Sequence, residues 1–170
     1  GRLMFQTAEF QIDDARVIPV LERARKLAVP LCIYVWWQDL PRFAGVVRRF
    51  PDLVIALDHM GHPPLNGGKP YSQAAPLLEL ARHPRLILKF STTTLLAAAK
   101  GSGTARDWFT CLIDVYGSRR LMWGSNYPMN HEHAVPGLLE LARSELSFLE
   151  PEDFDNMMGK TAMSIYPLLS

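Results

Sequence analysis

Residues 53–63 read Leu53-Val54-Ile55-Ala56-Leu57-Asp58-His59-Met60-Gly61-His62-Pro63, an apolar strand that runs directly into a polar turn. Strands without a polar face are typical of parallel sheets, because helices cover both sides of such sheets. Gly61 lets the backbone turn without a clash from a Cβ atom. In parallel α/β folds the carboxyl ends of the strands carry the ligand site. The stretch therefore predicts a parallel sheet with Asp58 and His59 at its functional edge.

His59 is the sharpest candidate for chemistry in this stretch. A histidine at a strand end can bind a metal, polarise a carbonyl group or move a proton near neutral pH. The alternative is a histidine whose hydrogen bonds are satisfied by the turn itself. The position at the strand end favours the functional interpretation. His62, three residues further on, is expected to face solvent or the loop.

The same alternation of short apolar runs and longer amphipathic runs recurs along the whole chain. The predicted strands cover residues 2–5, 31–37, 53–58, 86–90 and 121–124, and the predicted helices cover residues 13–27, 40–50, 73–82, 105–116, 135–146 and 152–168. Pro19 lies inside the first helical pattern, so a kink or a restart is expected there. No link has the character of a hairpin. The pattern predicts an α/β fold with a parallel sheet and right-handed helical crossovers.

Two architectures fit this order of elements. One is a complete five-stranded doubly wound sheet, and the other is part of a (β/α)8 barrel. The chain contains neither a GxGxxG nor a GxxxxGK[ST] motif, which phosphate-binding doubly wound proteins carry. Polar residues instead follow four of the five strands, at residues 36–39, 58–62, 89–94 and 125–130. Because polar residues follow nearly every strand, the pattern favours the mouth of a barrel over the single crevice of a doubly wound sheet.

Composition and charge exclude several classes of partner. The chain has 170 residues with 18 Lys+Arg and 17 Asp+Glu, a net charge of +1, so neither nucleic acid nor an anionic membrane is expected. With 48% hydrophobic and 21% charged residues, it has the composition of one globular domain. The apolar runs have the length of strands, which predicts no membrane span. Cys32 and Cys111 lie far apart in apolar runs, which predicts buried, unpaired thiols in a cytoplasmic protein.

A second apolar strand also ends in a polar turn, in the sequence Leu121-Met122-Trp123-Gly124-Ser125-Asn126-Tyr127-Pro128-Met129. Asn126 can donate and accept hydrogen bonds in this turn, but its amide cannot act as a general base. A turn that merely ends the strand at Pro128 is an equal alternative on this local evidence.

Taken in order, the two turns resemble motifs of the amidohydrolase superfamily. They are Asp58-His59-Met60-Gly61 and Gly124-Ser125-Asn126-Tyr127-Pro128, and they look most like the branch that contains 2-pyrone-4,6-dicarboxylate lactonase and related sugar-lactone hydrolases. Weaker matches occur at Gly1-Arg2-Leu3, at Arg49-Phe50-Pro51-Asp52 and at Leu88-Lys89-Phe90-Ser91. The likeness covers nearly the whole chain, and the order of the motifs carries it.

The resemblance implies a TIM-type (β/α)8 barrel. Residues 1–170 would then form a single partial domain, the carboxyl-terminal part with about five βα units, without the amino-terminal strands. The first-strand His-x-His motif of the family would precede these units. The implied activity is that of a hydrolase that cleaves a lactone or a related cyclic ester by attack of water.

The resemblance also implies two catalytic positions. His59 matches the sixth-strand histidine of the family, which contacts a metal or the carbonyl group of the substrate. Asn126 stands where most members have the aspartate that activates the hydrolytic water. An amide cannot accept the proton of that water, so the usual base of the family is missing at this position.

The residues predicted to bind substrate follow or belong to the predicted strands: Arg2, Tyr34, Asp58, Lys89, Ser91 and Tyr127. Arg2 matches an arginine of the family that can face a substrate carboxylate. Tyr34 falls on the fifth barrel strand, where a substrate-facing aromatic residue is expected. The segment 91–100, predicted as a loop, contains no arginine. This favours a neutral or monoanionic lactone over a dicarboxylate.

The metal content is left open by the sequence. The fifth barrel strand has no histidine, although many metal-dependent relatives place a ligand there, and the lysine of the dinuclear branch is not seen. The cofactor is therefore either none or one divalent metal, Zn or Mn, with His59 as the only serious candidate ligand. The pattern His131-Glu132-His133 is a weaker alternative, interpreted as solvated loop residues near the barrel mouth.

Two other functions stay open beside the hydrolase. One is a non-catalytic binding domain or a self-associating half barrel, and the other is an unrelated five-stranded ligand-binding domain. An open arc of strands has two unpaired edges, which favour association. The expected partners are therefore a small-molecule substrate and either a second copy, in a homo-oligomer, or the missing amino-terminal half.

Overall fold

The computed structural model describes residues 1–5, 10–100, 102–129 and 134–166. Its five strands are β1 (Arg2–Met4), β2 (Leu31–Tyr34), β3 (Ile55–Leu57), β4 (Leu86–Ser91) and β5 (Leu121–Gly124). They form one parallel sheet in the order β1-β2-β3-β4-β5. A sequential order confirms the predicted barrel-type arc, because a doubly wound sheet places its first strand between later ones.

Eight α-helices connect and follow the strands in the described residues. They are α1 (Ile18–Lys26), α2 (Leu40–Arg49), α3 (Ala75–Glu79), α4 (Thr92–Ala98), α5 (Ala105–Tyr116), α6 (Val135–Glu145), α7 (Pro151–Asp155) and α8 (Thr161–Ile165). A π-helical turn, Asn156–Lys160, joins α7 to α8. Short 3-10 turns flank several of these helices, and a separate one, Asp58–Gly61, follows β3.

Two helical segments differ from the sequence prediction for local reasons. The first helix begins at Ile18 instead of residue 13, since Pro19 fits the first turn of a helix and not its interior. The segment 91–100, predicted as a loop, contains α4. Its first turn holds Thr92, Thr93 and Thr94, and threonine is a weak helix former, which hid the helix in the sequence.

The core lies on both faces of the sheet. On one face, Leu57, Leu88 and Leu121 pack with the buried side of α5, including Trp108 and Phe109, in the larger apolar cluster. On the other face a smaller cluster contains Ala56, Ile87 and Met122, with Ala162, Ile165 and Tyr166 packed against it. Burial of this much apolar surface drives the folding of the domain.

The two cysteines are free, as predicted, but both are only partly buried. Cys32 lies on β2 and Cys111 on α5. Among the described helices, none combines the length and the apolarity that crossing a membrane requires.

The register of the strands explains which side chains meet at the carboxyl edge. Ile33 pairs with Leu57, and Leu57 pairs with Leu88. The next residues along these strands, Tyr34, Asp58 and Lys89, therefore reach the same level. Side chains alternate between the faces of a strand, so these three point to the face opposite the paired leucines.

Candidate active site

Asp58 is the buried centre of a charged group at the carboxyl edge of the sheet. Its side chain is fully buried directly after β3. Nη2 of Arg2 donates a hydrogen bond to Oδ2 at 2.5 Å, and Nζ of Lys89 lies 3.0 Å from Oδ1. Burial raises the pKa of Asp58, but the charge and the hydrogen bond of Lys89, together with the charge of Arg2, outweigh burial and hold that pKa below its ordinary value. The carboxylate is therefore ionised at neutral pH.

Gly124 makes room for the lysine of this group. A Cβ atom at position 124 would lie 2.8 Å from Cε of Lys89, closer than such atoms can approach. Gly124 ends β5 and is paired with Ser91 of β4. The glycine of the second sequence motif thus leaves the space in which Lys89 reaches Asp58.

His59 lies on a turn with an unusual backbone. The φ angles of His59 and Met60 are 50° and 54°, and that of Gly61 is 69°. Such left-handed conformations cost a non-glycine residue about 1–3 kcal/mol and cluster at functional sites. Gly61 also lacks the Cβ atom that would lie 3.1 Å from Cδ2 of Leu40. The turn returns the chain over the strand end, which buries His59 beside Asp58.

The imidazole of His59 has a hydrogen-bond partner at one ring nitrogen and a carboxylate near the other. Nδ1 lies 3.1 Å from Oγ of Ser91, and Nε2 lies 3.9 Å from Oδ1 of Asp58. Burial lowers the pKa of His59, and Lys89 and Arg2 lower it further, against the opposite effect of Asp58. The ring is therefore neutral at pH 7. When the Ser91 hydroxyl donates to Nδ1, Nε2 carries the hydrogen and can donate it to a ligand.

Ser91 is fixed by its place at the start of a helix. It is the N-cap of α4, and its backbone N–H donates to Oγ1 of Thr94 at 3.3 Å in a capping box. This arrangement holds the buried Ser91 side chain at the level of His59. The buried side chain of Ser91 thus has hydrogen-bond partners both in the first turn of α4 and in the ring of His59.

A small pocket opens beside His59. It has a volume of about 150 Å³, and its lining includes His59, His62, Thr93 and Thr94. The side-chain amide of Asn126 reaches the same helix start, because Nδ2 lies 3.5 Å from Oγ1 of Thr93. The first turn of α4 therefore connects the two sequence motifs across the sheet edge.

Tyr127, in contrast, is 57% exposed and follows Asn126 in the loop after β5. Tyr34 is buried, and its ring lies edge-on to His59 with 5.9 Å between the ring centroids. Among the residues predicted to bind substrate, Arg2, Asp58, Lys89 and Ser91 thus belong to one network with His59, Tyr34 packs against it, and Tyr127 lies at the exposed rim.

His62 does not simply face solvent or the loop, as its sequence position predicted. Its ring stacks on that of His59, with centroids 4.9 Å apart and planes inclined by 27°, and makes a tilted contact with that of Trp36, at 4.7 Å and 36°. We refer to Trp36, His62 and His59 as the ring column. Burial and the neighbouring His59 lower the pKa of His62 to about 4, so its ring is also neutral at pH 7.

The sequence held only a weak signal for the ring column. The spacing of three between the two histidines matches one 3-10 turn, which brings such side chains to the same side. Nothing in the sequence indicated the left-handed residues that form the turn. Trp36 was assigned to the predicted strand 31–37, but β2 ends at Tyr34, which releases Trp36 to stack on His62.

The described residues do not make a metal site by themselves. No group of three or more His, Cys, Asp or Glu side chains with metal-binding geometry occurs within residues 1–5, 10–100, 102–129 and 134–166. Asp58, whose Oδ1 lies 3.9 Å from Nε2 of His59, is already paired with Arg2 and Lys89. The pattern His131-Glu132-His133 lies outside the described residues.

Comparison with known proteins identifies the relatives of this chain. A family model described as Amidohydrolase matches residues 1–168. An L-fucono-1,5-lactonase from Burkholderia ambifaria is 28% identical over 120 residues, which cover 70% of this chain and 41% of that protein. The matched segment thus spans less than half the length of this curated relative.

Two solved structures show the same fold. A putative 2-pyrone-4,6-dicarboxylic acid hydrolase from Pseudomonas putida superposes with a TM-score of 0.78 at 22% identity, covering 98% of this chain and 62% of that one. An amidohydrolase from Burkholderia multivorans, solved with bound zinc, gives a TM-score of 0.72 at 23% identity, with 92% and 58% covered. The five-stranded arc described above therefore has the architecture found in part of a TIM-type amidohydrolase barrel.

Proposed function

The chain belongs to the amidohydrolase family, and from that premise we propose that its carboxyl edge forms part of the active site of a hydrolase that opens a lactone or a related cyclic ester by attack of water. The observation that carries the proposal is the neutral imidazole of His59 beside the ion group of Arg2, Asp58 and Lys89. The likeness to an L-fucono-1,5-lactonase supports the same reaction class.

His59 is proposed to polarise the ester carbonyl. With Nδ1 accepting from Ser91, Nε2–H is the free donor, and a hydrogen bond from it stabilises the negative charge that develops on the carbonyl oxygen as water attacks. A neutral ring is required, because only this tautomer combines an accepting Nδ1 with a donating Nε2. The bond between the carbonyl carbon and the ring oxygen then breaks, and the ring oxygen takes up the proton that the attacking water gives up, so that the products are a carboxylic acid and an alcohol.

The charge of the site supports a substrate with at most one negative charge. Arg2 and Lys89 carry two positive charges and Asp58 one negative charge, while both neighbouring histidines are neutral, which leaves one uncompensated positive charge. One carboxylate, or the carbonyl of an uncharged sugar lactone, matches this charge better than two carboxylates do. We propose Arg2, Lys89 and Ser91, with Tyr34 and Tyr127 around them, as the substrate side of the site.

Turnover on a panel of lactones tests the proposal. The panel contains neutral sugar 1,5-lactones and cyclic esters with one and two carboxylates, and proton release is followed with the protein as isolated, after EDTA, and after addition of Zn²⁺ or Mn²⁺. We expect turnover of a neutral or monoanionic lactone, and the metal series establishes whether a divalent metal contributes. Binding of these compounds without turnover under any metal condition favours the rival function, a non-catalytic binding domain.

The replacement His59→Ala assigns the activity to this site. We expect kcat/KM to fall by at least about a hundredfold, the usual scale for a positioned proton-transfer or electrophilic group. His83→Asn is the matched control, because His83 precedes β4 at the opposite edge of the sheet and should leave turnover unchanged. Equal activities of the His59→Ala variant and the unchanged protein would contradict the assignment.

A further inference from the structure

His59 is held by ring contacts within the ring column in addition to its hydrogen bond with Ser91. His62 contacts Trp36 in a tilted arrangement at a centroid distance of 4.7 Å and stacks on His59 at 4.9 Å. The ring of Tyr34 lies edge-on to all three, at 5.8 Å from Trp36, 5.4 Å from His62 and 5.9 Å from His59. Offset stacking and edge-to-face contacts are the favourable geometries for such rings. The column is therefore a packed unit and not a chance approach of two side chains.

The backbone beneath the column requires outside support. His59, Met60 and His62 all have φ angles between 50° and 54°, which non-glycine residues adopt only when their surroundings hold them there. Met60 is fully buried and anchors the middle of the turn. The single hydrogen bond between His59 Nδ1 and Ser91 fixes one ring atom but leaves the ring free to tilt about it. The stacked ring of His62 restricts that tilt.

The column uses His62 as a ring rather than as a hydrogen-bonding group. Nε2 of His62 is buried and makes no hydrogen bond within the described residues. This imidazole stacks on the ring of His59 and makes a tilted contact with the ring of Trp36, which is 41% exposed. An acid, a base or a ligand would instead be expected to aim a nitrogen atom at a partner.

We propose that His62 and Trp36 are positioning residues, which act by stacking to hold the imidazole of His59 in the one orientation that keeps Nδ1 on Ser91 and Nε2 free for substrate. The proposal rests on the proposed function, because it concerns the residue on which that function depends. Trp36 supports His62 from the solvent side, and Tyr34 closes the flank of the column. Neither positioning residue exchanges protons with the substrate.

Paired substitutions at position 62 separate stacking from nitrogen chemistry. We expect His62→Ala to lower kcat by about tenfold to a hundredfold, with a smaller change in KM, because small displacements of a catalytic group cost rate on this scale. His62→Phe keeps a flat ring and removes both nitrogen atoms, so its kcat should stay within about threefold of the unchanged protein. A loss with His62→Phe as large as with His62→Ala overturns the proposal.

The second position gives an independent comparison. Trp36→Ala should lower kcat, and Trp36→Phe should restore it. The control is Trp37→Ala, because Trp37 is similarly exposed at 38% and makes no ring contact with the column in the described structure. If Trp36→Ala and Trp37→Ala have the same effect, the column does not position His59. This pair decides the question even if His62→Ala fails to fold.

A readout that needs no turnover distinguishes failure of this proposal from failure of the proposed function. The ring carbon-bound protons of His59 are observed by NMR at a fixed pH of 7.5. We expect one sharp set of resonances in the unchanged protein and in His62→Phe, and broadened or doubled resonances in His62→Ala and Trp36→Ala. Unchanged resonances in both alanine variants overturn the positioning role, whichever substrate the protein acts on.

Discussion

Asn126 brings an amide, not a carboxylate, to the edge of the pocket beside His59. Its Nδ2 lies 3.5 Å from Oγ1 of Thr93, a residue that lines this pocket. Since an amide cannot accept a proton from water, Asn126→Asp introduces a base at the position where the sequence resemblance places the base of the family. We expect kcat/KM measured at pH 7–8 to rise by at least about tenfold, the lower part of the range for general-base catalysis.

The control for this substitution is Asn66→Asp, which adds the same charge at an exposed loop position. It should leave kcat/KM unchanged. If Asn126→Asp has no effect while His59 is essential, the proton of the water is taken by another group.

His62 should make the stability of the fold depend on pH in a defined window. Its pKa is lowered to about 4 by burial and by His59, whereas the unfolded chain has a histidine pKa of about 6.5. As the pH falls below 6.5, the unfolded state takes up the proton first. The stabilisation is therefore complete above pH 6.5 and is lost progressively as the pH falls to about 4.

His62→Phe removes this proton uptake and should flatten the pH dependence. From pH 7 to pH 4, the free energy of unfolding of the variant should fall by about 2–3 kcal/mol less than that of the unchanged protein. Urea denaturation at each pH measures both values. The pH dependence that remains in the variant comes from other groups. One of them is His59, whose pKa is also lowered. Parallel pH profiles of the two proteins would refute the shift at His62.

At the scale of elements, the contact between β4 and β5 is built around the missing side chain of Gly124. Gly124→Ala places a Cβ atom where Cε of Lys89 now lies, so Lys89 must move away from Asp58. We expect the free energy of unfolding to fall by about 1–2 kcal/mol, from overpacking and from a weakened ion contact. Thermal and urea denaturation measure this change.

Gly45→Ala is the matched control, and it should raise the free energy of unfolding instead of lowering it. Gly45 lies within α2, and the nearest atom to a Cβ there would be 3.9 Å away. Replacing glycine by alanine in a helix interior stabilises by about 0.5–1 kcal/mol. Lys89→Ala removes the clashing Cε atom and should also reduce the effect of Gly124→Ala. An undiminished effect in that double variant would show that Lys89 is not the group displaced.

The elements that follow from runs of apolar residues could be predicted from the sequence. Features that depend on rare backbone conformations could not. The parallel strands and their order along the chain follow from the apolar runs, and Asp58 and His59 follow from the strand end that precedes them. The stacking of His62 could not be predicted, since it depends on left-handed φ angles in non-glycine residues. The helix α4 was missed because its three threonines are weak helix formers, although its Ser91–Thr94 capping box is a start signal.

At the scale of the whole molecule, both outer strands of the described sheet have an open edge. In the described residues β1 pairs only with β2, and β5 pairs only with β4. Beside β1, the outer side of α1 presents a second unpartnered surface, formed by Pro19, Val20, Leu27 and Val29 around a shallow apolar groove. Unpaired strand edges and contiguous apolar patches are the surfaces through which proteins associate.

We therefore predict that residues 1–170, produced on their own, associate with further copies. Light scattering behind size exclusion should give a mass above the 19.2 kDa of one chain. Val20→Lys places a charge in the apolar groove and should weaken association by at least about tenfold, equivalent to about 1.4 kcal/mol. Val115→Lys is the matched control, because Val115 is similarly exposed, at 40% against 45%, but lies on α5. A monodisperse monomer of 19.2 kDa with a cooperative calorimetric transition would contradict the prediction, since it would show that the open edges are stable in water.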